Sequence, residues 1–121
     1  MLQLFGIVDT GADGDKAEAM LCRDSDRPDE LMVHWWGKTP EDRSAVLAEV
    51  TEAEGEMQLK PKLWFRSAQN GELFLPPTLN EEEEKWIQTT RGSLREVGPN
   101  LEGSWIDAEG VSREIWFGPP P

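Results

Sequence analysis

The sequence predicts a mainly β chain that closes into a single small antiparallel barrel of about eight short strands, with at most one or two short helical turns. Three observations point there. Apolar residues recur with period two in segment after segment. Clusters of Gly, Pro, Asn and Asp punctuate those segments at short intervals. Closure also removes the exposed edges that a long meander would leave. A two-sheet β-sandwich is the alternative. A chain of 121 residues can bury one modest core, so one β domain is set at 1–117, followed by a Gly/Pro tail at 118–121.

Leu2 to Val8 is an apolar strand ended by the turn-rich Asp9-Thr10-Gly11-Ala12-Asp13-Gly14-Asp15. Ala17, Ala19 and Leu21 alternate with Glu18, Met20 and Cys22, giving a second strand before Asp24 to Asp29. Leu31, Val33 and Trp35 alternate with Met32, His34 and Trp36 in a third. Residues 40–54 stay open between two readings. Thr39-Pro40-Glu41-Asp42 is a helix-start signal, yet Val46, Ala48 and Val50 alternate as a strand does. A short helical turn followed by a strand satisfies both. Met57, Leu59, Pro61, Leu63 and Phe65 share parity, and Pro61 marks an edge or a bulge. Asn70-Gly71 predicts a hairpin between Leu63 to Phe65 and Leu73 to Leu75. Asn80 before Glu81 to Glu84 either caps a short helix or belongs to an acidic loop. Trp86 to Leu94, Leu101 to Ile106 and Val111 to Phe117 complete the expected strands.

Composition narrows the function. Six Trp and four Phe supply bulky side chains to a chain that is only 37% hydrophobic. A formal charge of -12 repels phosphates, which disfavours direct nucleic-acid binding and anionic membrane surfaces. The lone Cys22 can form no internal disulfide, and the Met-Leu-Gln start is unlike a signal segment, so a cytoplasmic setting is expected. No apolar run approaches the roughly 20 residues of a membrane span.

Gly103-Ser104-Trp105, paired across a turn with Ile115-Trp116-Phe117, resembles the Gly-x-Trp strand pairs of calycin-type barrels, the lipocalin-like and avidin-like class. That resemblance implies a Trp closing one barrel end and the holding of a small apolar ligand or a partner peptide. Separately, Phe5 to Ala12 is similar to the apolar-Asp-Thr-Gly-Ala signature of retropepsin-type aspartic peptidases, which implies a catalytic Asp9 in a homodimer. Asp9, Asp13, Asp15 and Glu18 are spaced unlike an EF-hand loop. His34 is the only histidine, so no zinc site of ordinary composition can be assembled in one chain. A thiol pair would have to join His34 to Cys22. No cofactor or metal is expected.

The leading expectation is a non-enzymatic binding module. Neighbours in a strand face opposite sides, so Trp35-Trp36 and Trp64-Phe65 each send one ring inward and one outward. Trp35, Trp36, Trp64, Trp86, Trp105, Trp116 and Arg91 are therefore the candidate binding residues, for a protein partner or a small apolar ligand, in a monomer or homodimer. An acidic inhibitor acting on a basic, nucleic-acid-binding partner through Glu81 to Glu84 is the first alternative, and the Asp9 peptidase the second.

Overall fold

The computed structural model describes residues 2–9, 16–36 and 43–119. Its strands are β1 (Leu2–Asp9), β2 (Lys16–Arg23), β3 (Glu30–Trp36), β4 (Arg43–Ala53), β5 (Glu56–Ser67), β6 (Leu73–Phe74), β7 (Arg91–Val97), β8 (Asn100–Ile106) and β9 (Ser112–Gly118), with one helix, α1 (Glu81–Thr89), between β6 and β7. Neighbouring strands run β4-β3-β2-β1-β9-β8-β7-β5, and β4 also pairs with β5. Every pairing is antiparallel, so eight strands close into a barrel and the two-residue β6 hangs from the end of β5. Among the described residues no helix is long and apolar enough to cross a membrane.

Period-two patterning fills this barrel. Leu4, Leu21, Val33, Leu59, Leu94, Ile115 and Phe117 project inward from six strands and form one core. Two inward glycines admit close approaches. At Gly103 a side chain would collide with the Ser93 carbonyl of the neighbouring strand, and at Gly92 it would strike the ring of Trp105. The Gly-x-Trp sequence thus lets β8 cross close to β7, with Gly92 of β7 leaving the space its Trp occupies.

The structure corrects some of these expectations and agrees with others. Trp86 to Leu94 is not one strand: α1 runs through Thr89 and β7 starts at Arg91. Asn80 Oδ1 accepts from the Glu83 N–H at 2.8 Å while Glu83 Oε1 accepts from the Asn80 N–H at 3.0 Å, a reciprocal capping box that commits this segment to a helix. The single face drawn through Met57 to Phe65 breaks at a bulge, where Leu47 pairs with Leu63 but Ala48 pairs with Pro61. Lys62 is skipped, so Leu63 and Phe65 turn outward and Trp64 inward. Residues 43–53 form a strand throughout, and the Thr39 to Asp42 helix signal lies outside the described residues. The Asn70-Gly71 hairpin exists but is short, pairing Arg66 and Ser67 with Phe74 and Leu73. Gly118, placed in the tail by sequence, belongs to β9 and pairs with Phe5.

The outer wall is apolar for a surface. Register aligns Met20, His34, Ala45 and Phe65 in one row and Cys22, Met32, Leu47 and Leu63 in the next. His34 and Cys22 share this wall. Burial pushes the Cys22 thiol up and the His34 imidazole down, the latter with help from Arg43, so both favour their neutral forms, unlike a thiolate–imidazolium pair.

Candidate functional site

The tryptophans divide unequally between the two sides of the barrel wall. Trp35 projects inward from the end of β3 and Trp64 from β5 beyond its bulge, while Trp105 points inward from β8 and Trp86 comes from α1. They meet in sequence. Trp35 and Trp64 lie 5.6 Å apart between ring centroids, Trp64 and Trp86 5.4 Å, and Trp86 and Trp105 5.3 Å, each pair edge to face. Such pairs contribute roughly 0.5–1.5 kcal/mol each beyond the area they bury.

Helix α1 sets the position of Trp86 through Glu83, one turn earlier in the helix. Glu83 closes the capping box and accepts hydrogen bonds from the Arg66 guanidinium, including one from Nε at 2.9 Å. Those bonds from Arg66 hold the Glu83 carboxyl below the usual carboxylate range. The helix is thereby tied to β5, the strand that carries Trp64.

The four rings wall a cavity of about 330 Å³ at the end of the barrel, completed by Val8, Thr90, Asp9, Asp107 and Arg113. Asp107 is fixed by its own turn, where Oδ1 accepts from the backbone N–H of Glu109 at 3.0 Å and of Val111 at 2.9 Å. Its Oδ2 lies 3.9 Å from Arg113 Nη2. Two buried polar atoms in the wall, Thr90 Oγ1 and Trp105 Nε1, have no hydrogen-bond partner in the protein. The opposite end of the barrel has a larger opening of about 580 Å³, but charged residues such as Arg23, Glu52, Arg95 and Glu96 line it and no tryptophan does.

Other candidates lie elsewhere. Trp36 faces outward, donating from Nε1 to Glu18 Oε2 at 3.0 Å and meeting His34 edge on. Trp116 is 41% exposed on the outer face, opposite Ile7. Arg91 is exposed and donates to the Thr90 carbonyl at 2.7 Å. Asp9 closes β1 opposite Lys16 and lines the cavity, while Thr10, Gly11, Asp13 and Asp15 fall outside the described residues. Among the described residues no group of three or more His, Cys, Asp or Glu side chains is arranged to hold a metal ion.

Sequence reasoning did not single out Thr90, Asp107 or Arg113. Arg113 had a signal, since it shares inward parity with Ile115 and Phe117. No protein-family model matches this chain, and none of the curated proteins or solved structures compared with it matches either.

Proposed function

We propose that this barrel is a non-enzymatic binding module that holds a small apolar ligand among Trp35, Trp64, Trp86 and Trp105. The observation that carries the reading is the convergence of four indoles, from three strands and a helix, on a cavity at the end of the barrel, where Trp105 belongs to the core and Trp35 and Trp86 pack against it. At about 330 Å³ the cavity lies at the small end of the roughly 300–1,000 Å³ usual for ligand sites, the size for one or two fused rings. The calycin-type resemblance belongs to the same proposal, with Trp105 as the residue at the closing end.

Charge favours this reading over the acidic inhibitor. Glu83, within the densest acidic run, is engaged by Asn80 and Arg66, and Glu84 accepts from Gln88, so part of the run serves the helix itself. A partner protein would instead meet the outward rings, Trp36 and Trp116. Titration with the neutral dye N-phenyl-1-naphthylamine, followed by its emission, tests the choice. Saturable binding should weaken at least tenfold on Trp64→Ala and be unchanged on Trp116→Ala. The opposite pattern, or no saturable binding, would overturn the reading.

A further inference from the structure

We propose that Met20, Cys22, Met32 and His34 form a binding site for a soft monovalent metal ion, copper(I), on the outer wall of the barrel. The site lies apart from the tryptophan cavity and does not depend on it. Where β2 pairs with β3, Met20 stands directly opposite His34 and Cys22 directly opposite Met32. Ala19, Leu21, Leu31 and Val33, which alternate with them, are buried in the core, so all four donors rise from the same outer face. Directly opposite Cβ atoms lie about 4.5–5.5 Å apart, and alternate residues of one strand about 7 Å. The four side chains thus stand at the corners of a small rectangle, its centre about 4 Å from each Cβ. An ion seated nearest Cys22, the shortest of the four, is within reach of the longer methionine and histidine side chains.

Donor chemistry selects the ion. Thiolate and thioether sulfurs are soft ligands that favour copper(I), whereas hard cations prefer oxygen. Charge points the same way. The neighbours in register are Gln3 and Phe5 of β1 on one side and Ala45 and Leu47 of β4 on the other. Glu18 and Glu30 stand one row beyond the block at either end, and Glu18 already accepts from Trp36 Nε1 at 3.0 Å. On such a wall one thiolate neutralises a monovalent ion, whereas a divalent ion would leave a net charge half-buried among apolar groups.

Two of the donors have no other task among the described residues. His34 Nε2 is buried in the wall without a hydrogen-bond partner, and Cys22 is a free, half-buried thiol. Burial, with help from Arg43, keeps the imidazole neutral, which is the form that ligates. As the copper–sulfur bond forms, the Cys22 thiol gives its proton to solvent; copper stays in the +1 state and nothing is oxidised or reduced.

Silver(I), a soft monovalent ion that air does not oxidise, is titrated into the full chain beside copper(I), the latter under anaerobic reducing conditions in competition with the chromogenic chelator bathocuproine disulfonate. Each ion should bind once per chain, and equimolar zinc(II) should not displace it. In ¹³C–¹H NMR of the unsubstituted chain the methyl signals of Met20 and Met32 should move on silver binding, while that of Met57, which packs against the core, stays in place. Cys22→Ser should weaken binding about a hundredfold, and Met20→Leu, Met32→Leu and His34→Gln about tenfold each. Leucine keeps the bulk of methionine, so those two variants should retain the far-UV circular dichroism of the parent. Absence of one-to-one binding, displacement by zinc(II), or unmoved Met20 and Met32 signals would overturn the site. Loss on Cys22→Ser with the other three variants unchanged would also overturn it, leaving only a thiol that binds metal by itself.

Discussion

Replacing Gly92 by alanine should lower stability and ligand affinity together, because Gly92 holds open the space that Trp105 fills. A methyl group there would sit 2.5 Å from both Cε3 and Cζ3 of Trp105 and 3.2 Å from the Leu59 Cβ. Carbon atoms pack at about 3.5–4.0 Å, so the ring must retreat by roughly 1 Å. Trp105 is 3% exposed, and Trp86 stands against it at 5.3 Å, so retreat from β7 carries the ring toward the cavity. Overpacking of this kind costs about 1–3 kcal/mol, and the smaller chain entropy of alanine offsets roughly 0.4–1 kcal/mol of that. The expected net loss is about 1–2 kcal/mol in urea unfolding followed by far-UV circular dichroism, with N-phenyl-1-naphthylamine binding weakened severalfold. Unchanged stability together with unchanged dye affinity would refute the reasoning, since it would mean that the Trp105 ring is not wedged between Gly92 and the cavity.

Three further outcomes follow from the same geometry. Thr90→Val removes a buried hydroxyl without a partner while keeping the β-branched shape, so it should stabilise by about 1 kcal/mol and raise Tm by several degrees; a lower Tm would reveal a partner for that hydroxyl. Asn80→Ala breaks the capping box, should cost about 1 kcal/mol, and should reduce the near-UV circular dichroism of the tryptophan chain as Trp86 loosens. His34 has a folded pKa below its ordinary value, chiefly through burial and then through Arg43. The unfolded chain therefore binds more protons between that lowered value and about 6.5, and stability falls as pH drops through this window. In His34→Gln the stability-versus-pH curve should be flatter there; an unaltered slope would count against the burial of the imidazole.

Strand parity made much of the barrel legible in the sequence. Trp35 turns inward and Trp36 outward, as adjacent strand residues must, and Ala19, Leu21, Leu31 and Val33 occupy the core. Parity failed at the Lys62 bulge, because one extra residue exchanges the faces of everything after it. Pro61 signalled an irregularity there, but whether one residue was skipped depended on the partner strand. Helix α1 was harder to read. It has no buried residue, and its nine residues carry the capping signals but too little apolar periodicity to overrule a strand reading of Trp86 and Ile87. The cavity itself unites residues from β1, β3, β5, α1, β7's approach and the β8–β9 turn, a juxtaposition that only closure of the barrel produces. Single residues were therefore visible as candidates while their grouping was not.

In the proposed binding mode four tryptophans hold the ligand and two do not, and each tryptophan carries its own reporter in the indole N–H. Two-dimensional ¹⁵N–¹H NMR of the full chain, recorded with and without saturating N-phenyl-1-naphthylamine, reads all six at once. Indole signals of Trp35, Trp64, Trp86 and Trp105 should shift while those of Trp36 and Trp116 stay in place. Shifts confined to Trp36 and Trp116, with the other four unmoved, would contradict the account and move recognition to the outer wall.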